Sequence, residues 1–369
     1  MKWSWKFGRL AGIELRVHAT FIILLVWLAF AYYRQSGSVF GAAEGVAFTL
    51  ALFASVIVHE LGHALTGRRF GVPTRDITLL PIGGVARLEY IPEQPRQELA
   101  IALAGPAVTL GIVVVLYLAA RALSQPLTLT PDVLGDSARP AFVAQLMWVN
   151  VTLLVFNLLP AFPMDGGRVL RAALALRMNF VRATEIAARV GRAFALIFGA
   201  VGFFYNPILV LIALFVWLGA AAESSATQVK SSLAGVDVER VMISDVQTLA
   251  PGDTLDVALN HVLAGFQQDF PVVDSGEVVG VLTRSALLAG LARDGRDAFV
   301  SSAMERSFKT AQPTEPVERA MARLHECKCH TLPVLSDGHL EGVLTLDNIG
   351  EYLMIDAALH GSRHALNGD

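Results

Sequence analysis

From about His18 to Ala222 the chain is a succession of long apolar runs, while from about Ser224 onward its composition is that of an ordinary globular domain. A bilayer offers no water to unpaired backbone groups, so a segment that crosses one must be a helix or part of a closed barrel. The runs are His18 to Tyr33, Gly41 to about Gly67, Leu99 to Leu123, Ala141 to Leu159, Ala193 to Tyr205 and Ile208 to Ala222, the last two turning at Asn206-Pro207. Most approach the roughly 20 residues that a spanning helix needs. The expectation is a polytopic α-helical membrane protein of about six transmembrane helices in the cell membrane. No small-residue cleavage site follows the first run, which reads as a retained span.

Charge sets the expected orientation. Lys2, Lys6, Arg9 and Arg16 precede the first run together with Trp3 and Trp5, Arg68 and Arg69 follow the second, and Arg168, Arg171, Arg177, Arg182, Arg189 and Arg192 crowd the stretch from Gly167 to Arg192. Basic flanks mark the cytoplasmic side. The loop from Pro126 through Asp132 and Asp136 to Pro140 is poor in basic residues and suits the outer face. Six spans return the chain to the side where it began, so the N-terminus and the C-terminal part are both expected in the cytoplasm. Two cysteines, Cys327 and Cys329, are too few for a disulfide framework and read as reduced thiols. The net charge of -3 gives no case for a nucleic-acid partner.

The run Val46 to Val58 closes on His59-Glu60-Leu61-Gly62-His63, an H-E-x-x-H pattern. At about 100° per residue the two histidines lie roughly 40° apart around a helix, with Glu60 in the same arc. That face suits two nitrogen ligands for zinc and a carboxylate that moves a proton. A charged side chain at the centre of a membrane helix costs roughly 2.5–3.5 kcal/mol, which marks it as functional by default. The bland alternative is a helix-end glutamate beside two satisfied histidines.

A catalytic zinc site needs a third protein ligand. Asp165 is the candidate, in Asn157-Leu-Leu-Pro-Ala-Phe-Pro-Met-Asp-Gly-Gly167, where Pro160 and Pro163 stop the fourth span and Gly166-Gly167 lets the chain turn back. The alternative is a loop aspartate that caps the next helix. Asn150 and Asn157, seven residues apart, share a face of the fourth span; each either hydrogen-bonds a neighbouring helix or serves substrate or an oxyanion. Between Val72 and Glu93, prolines 73, 81 and 92 and Gly83-Gly84 break the helical pattern around the β-prone pieces 77–80 and 85–88. This reads as a hairpin turning at Gly83-Gly84, either on the surface or re-entrant and bordering the site. Gly105-Pro106 interrupts the third span and permits close helix approach.

Taken together, these motifs resemble the site-2 protease family of intramembrane zinc metallopeptidases: H-E-x-x-H at 59–63, G-G at 83–84, G-P at 105–106 and N-x-x-P-x-x-P-x-D-G at 157–166. The resemblance covers roughly residues 10 to 222. It implies one catalytic Zn2+ held by His59, His63 and Asp165, Glu60 as catalytic acid/base, and Asn157 as a substrate contact. Asn150, Gly83 and Gly84 join Asn157 as candidate substrate-binding residues. The implied activity is hydrolysis of peptide bonds in a transmembrane protein substrate, that is, regulated intramembrane proteolysis in the lipid bilayer. Met164 stands where leucine is common, an apolar exchange that leaves the ligands unaffected. The segment Gly12 to Phe21 looks like the branch with C-terminal cytoplasmic modules; His18 within it is not counted as a ligand.

The C-terminal part contains an internal repeat. Residues 241–255 align with 303–317, and Phe270-Pro-Val-Val-Asp274 with Gly280-Val-Leu-Thr283 matches Leu332-Pro-Val-Leu-Ser336 with Gly342-Val-Leu-Thr345. This resembles a tandem pair of CBS modules, an α/β fold that commonly senses adenine nucleotides. The expected division is a protease domain 1–223, a linker 224–235, CBS modules 236–297 and 298–357, and a tail 358–369. Thr345 and Asp347 are candidates for the ribose of ATP or AMP, whereas Thr283-Arg-Ser-Ala lacks the acid; the alternative is a structural role or homodimerisation through the modules. Cys327-Lys-Cys329-His330 has no common four-ligand metal spacing. A CBS-gated transporter would distribute polar residues along several spans, but here they concentrate at His59, Glu60, His63, Asn157 and Asp165. A catalytically dead scaffold is at odds with an intact ligand set and base.

Overall fold

The computed structural model describes residues 3–81, 83–88, 94–127, 142–265, 267–327 and 330–366, which form two compact units, Met1–Thr227 and Gln228–Asp369. Most of the expected outer loop, residues 128–141, lies outside the described residues.

The first unit opens with a strand hairpin, β1 (Ser4–Leu10) and β2 (Ile13–His18), where the sequence suggested only an interfacial basic-aromatic segment. Its turn uses Ala11 at φ 52° and Gly12 at φ 86°, the left-handed backbone that matches the twist of paired strands. His18 then ends β2 and caps α1 (Ala19–Ser36), its Nδ1 accepting from the Thr20 amide at 3.3 Å. That assigns the histidine a structural place. Helix α2 (Val39–Arg69) starts on a Ser38 cap and runs 31 residues through the H-E-x-x-H motif.

The helices α1 and α2 form the crossover that brings β3 (Thr74–Leu80) parallel to β2; β3 then pairs antiparallel with β4 (Gly83–Leu88), in a sheet of order β1-β2-β3-β4. A parallel pair needs such a crossover. The hairpin is present, but the glycines do not form its turn. Leu80 pairs with Gly83 and Leu79 with Gly84, so both glycines begin the returning strand.

Helix α3 (Pro95–Ala122) runs through Pro106 without ending, and α4 (Phe142–Asn157) is apolar but only 16 residues long. After a short irregular stretch come α5 (Asp165–Ala175), α6 (Phe180–Tyr205) and α7 (Pro207–Leu233). Two boundaries differ from expectation. The helix α6 begins 13 residues before the apolar run, because Ala183, Ala187, Gly191 and Ala195 bury one small-residue face while Arg182 and Arg189 stay exposed. Residues 224–233, expected as linker, continue α7. Five described helices (α1, α2, α3, α6 and α7) are long and apolar enough to cross a membrane. Their exposed Leu, Ile, Val and Phe side chains fit a lipid-facing surface. The protein is a membrane protein.

The second unit folds its repeat as α8 (Leu255–Ala264), β5 (Phe270–Asp274), β6 (Glu277–Leu282) and α9 (Arg284–Asp294), then α10 (Val300–Ala303), α11 (Val317–Cys327), β7 (Thr331–Ser336), β8 (His339–Thr345) and α12 (Leu346–Leu366). The pairs Phe270↔Leu282 and Val272↔Gly280 recur as Leu332↔Leu344 and Val334↔Gly342. The leading segment of each half bridges the second strand of the other, Ile243 to Val343 and Glu305 to Val281. Each half therefore completes its partner's sheet. Cys327 carries no free thiol, against the expectation of reduced cysteines, and Cys329 lies outside the described residues.

Candidate metal centre

His59 and His63 sit one turn apart on α2, both buried, with their Nε2 atoms 3.1 Å from each other. Asp165, the first residue of α5, places Oδ2 3.2 Å from each Nε2. Zinc bonds to nitrogen and oxygen are about 2.0–2.1 Å, so the edges of a tetrahedral site are about 3.3–3.4 Å. The triangle of two imidazole nitrogens and one carboxylate oxygen fits that requirement in donor chemistry and in size. Among the described residues these three form the group able to hold a metal ion.

Each histidine is oriented from behind by α3. His63 Nδ1 donates to the Ile101 carbonyl at 2.7 Å, which leaves Nε2 as the free lone pair. His59 Nδ1 lies 2.8 Å from Thr109 Oγ1, and the same tautomer there donates to the hydroxyl. Such outer partners fix ring orientation and ligand basicity. Thr109 and Ile101 were not anticipated; neither carries a local sequence signal, and the contact spans 50 residues for one pair.

Glycine makes this closeness possible. A Cβ on Gly105 would lie 2.1 Å from His63 Nε2, and one on Gly62 would lie 2.9 Å from the Ala104 carbonyl. The G-P motif therefore lets α3 press its backbone against His63. On the other side, a Cβ on Gly166 would lie 2.2 Å from the Leu159 carbonyl and one on Gly167 2.6 Å from the Phe162 nitrogen. These glycines were expected to make a sharp turn. They instead seat the start of α5 on the backbone of 158–162 and so present Asp165.

Glu60, Asn150, Asn157, Gly83 and Gly84 join His59, Thr109 and Asp165 around a cavity of about 300 Å³. Gly84 is packed on the Glu60 side chain, a Cβ there meeting Glu60 Cγ at 2.9 Å. Gly83 has φ 134°, a backbone that glycine takes without strain. Asn150 is 1% exposed, and its amide donates to Leu146 in its own helix rather than to a neighbouring one. Asn157 lines the cavity and makes no side-chain hydrogen bond among the described residues.

The nucleotide candidates belong to the second unit. The Thr345 hydroxyl accepts from the Asn348 amide at 3.2 Å as a helix cap, and Asp347 is exposed on the first turn of α12. A cavity of about 300 Å³ in that unit is lined by Ser244, Thr248, Gly276 and His339 among others, and by neither candidate.

Residues 47–131 and 119–198 match peptidase family M50, and residues 238–293 and 300–355 match the CBS domain. The chain is 32% identical over 352 residues to a zinc metalloprotease of Methanocaldococcus jannaschii, spanning 95% of this chain and 96% of that protein. It is 28% identical over 171 residues to stage IV sporulation protein FB of Bacillus subtilis, spanning 46% of this chain and 55% of that one. Among solved structures it is similar to a site-2 protease from Methanocaldococcus jannaschii at 37% identity, with 60% of this chain and 95% of that one covered and a TM-score of 0.45.

Proposed function

This chain belongs to peptidase family M50 and carries a tandem CBS pair, and from that premise we propose that it is an intramembrane endopeptidase whose zinc is held by His59, His63 and Asp165. Its substrate is a transmembrane segment of another protein. The observation that carries the reading is the ligand triangle with edges of 3.1–3.2 Å, two of whose members, His59 and Asp165, line a cavity together with Glu60.

A zinc ion held by His59, His63 and Asp165 would supply Lewis-acid chemistry there, lowering the pKa of water toward about 7 and polarising the peptide carbonyl. Glu60 takes the proton of the attacking water and returns it to the leaving amine. Asn157, without a side-chain hydrogen bond among the described residues, donates to the substrate backbone or to the oxyanion that develops on it. Asn150 and the backbone of Gly83 and Gly84 line the same cavity and bind the substrate in extended form. A helical segment must unwind before it can offer a peptide bond here.

The finer topology follows from the same reading. The helix α4, 16 residues and so about 24 Å long, completes a sixth span with its flanking residues, since the hydrocarbon core is about 30 Å thick. The β3–β4 hairpin is re-entrant, bringing Gly84 against Glu60, and the N-terminus and CBS pair are cytoplasmic. The CBS pair binds ATP or AMP, or joins two copies of the chain, and so regulates cleavage.

The test uses purified protein in liposomes with a single-span substrate. Wild type is expected to contain one zinc per chain and to cleave; Glu60→Gln is expected to retain zinc and not cleave. Cleavage by Glu60→Gln at the wild-type rate overturns the assignment of the base. Solute transport by both forms without proteolysis favours a CBS-gated transporter.

A further inference from the structure

Among the described residues of the first unit, the most deeply buried charge lies outside the metal centre. Arg171 is 1% exposed, on α5, six residues after Asp165. The sequence placed it among the cytoplasmic basic residues, but its Nε and Nη2 donate to Glu98 Oε1 on α3 and its Nη1 donates to Glu223 on α7. The guanidinium also stands over the rings of Phe162 and Phe180, at 5.1 and 4.9 Å. Glu98 is itself 3% exposed.

We infer that Arg171 is a positioning residue for the metal centre, holding the helix that carries Asp165 against the helix that orients both histidines; this rests on the zinc reading above. Helix α3 sets the two imidazoles, through Ile101 on His63 and Thr109 on His59. Helix α5 sets the carboxylate. The triangle closes only while α3 and α5 keep their relative placement, and a functional constellation tolerates about 0.5 Å of error. The Arg171–Glu98 ion pair ties these two helices, three residues before Ile101 on one side and six after Asp165 on the other. The third arm, to Glu223, adds α7, whose Gly219 packs on Pro163 just before Asp165. Arginine suits the task because its planar fork reaches two carboxylates at once, whereas a lysine ammonium acts as a single point charge.

The test is zinc affinity of the full-length protein in detergent, measured by competition with a chromophoric chelator. It is paired with the visible spectrum of the cobalt-substituted form and with kcat and KM on the membrane substrate. Arg171→Lys, which keeps the charge, is expected to raise the zinc Kd by about 10-fold and Arg171→Met by up to about 100-fold. The cobalt band should change in both, and kcat should fall with KM little altered. Folded Arg171 variants with wild-type zinc affinity and an unchanged cobalt spectrum overturn the inference, even if they melt earlier, because a merely structural role predicts that pattern. If neither variant is recovered folded, Glu98→Gln replaces them: it keeps an acceptor for Arg171 but removes the charge. A weaker zinc affinity supports the inference, and an unchanged one overturns it. Wild type that binds no zinc overturns the metal reading and this inference with it; wild type that binds zinc beside variants of equal affinity overturns this inference alone.

Discussion

Glu60 follows the proposed ligand His59 directly on α2 and shares its cavity, with Gly84 packed on its side chain. General acid–base catalysis by one positioned group contributes about 10²–10⁴-fold, so Glu60→Gln should lower kcat by roughly that factor while zinc content stays at the wild-type level. Thr109 acts one step further out. Thr109→Val keeps the shape but removes the hydroxyl beside His59 Nδ1, and zinc affinity should fall by about 10–100-fold, read by chelator competition, with helix content unchanged. These two residues also mark what was legible in the sequence. His59, Glu60 and His63 are readable because helical periodicity alone puts them on one face. Asp165 is readable because an aspartate between apolar segments has few other uses. Thr109 was not, since a threonine in an apolar helix carries no sign of the histidine it meets. Arg171 was legible only as one charge in a basic stretch: nothing in that stretch announces the partners Glu98 and Glu223, which lie 73 and 52 residues away.

Among the elements, the helices and the β3–β4 hairpin were legible, apart from its turn, and the β1–β2 hairpin was not. Apolar length announces a span, but β1 and β2 depend on a parallel partner, β3, that arrives only after two helices. The seating of α5 was half legible, since Gly166-Gly167 was noticed for the wrong reason. Gly166→Ala tests the reason found here. Its methyl would lie 2.2 Å from the Leu159 carbonyl oxygen, and backbone cannot yield as a side-chain tip can. The substitution should push α5 outward, leaving helical content near wild type by circular dichroism while zinc binding is lost; retained zinc would refute it. The β1–β2 hairpin carries a pH dependence of known sign. Hydrogen bonds from Lys6 and then Arg16 hold the Glu14 carboxyl down at about 2, against an ordinary 4.5. A depressed pKa contributes stability that is present above pH 4.5 and is lost as pH falls from there through 2. Amide exchange in residues 4–18, corrected for intrinsic rates, should therefore rise over that window in wild type and not in Glu14→Gln. The effect should be small and shrink with salt, because these side chains are solvent-accessible.

At the scale of the whole molecule, two units with separate cores should answer to separate ligands. The second unit buries one core around Leu249, Phe270 and Leu282 and another around Leu233, Leu332 and Leu344, with no member drawn from the metal centre. A ligand that binds only the folded form stabilises it by RT ln(1 + [L]/Kd), about 2.7 kcal/mol at 100 times Kd. Zinc removal by a chelator should therefore lower the melting transition of the first unit and leave that of the second in place. AMP or ATP at millimolar concentration should do the reverse, raising the second transition alone. Resolved transitions of the full-length protein in detergent, followed by scanning calorimetry, read both effects in one series. Asp347 is exposed and makes no cap contact of the kind that engages Thr345, so Asp347→Ala should abolish the nucleotide shift without lowering the ligand-free transition. A second unit indifferent to both nucleotides would leave a structural role or homodimerisation, and protein concentration separates the two. Homodimerisation predicts a transition whose midpoint rises with protein concentration, because an assembly shifts its unfolding by mass action.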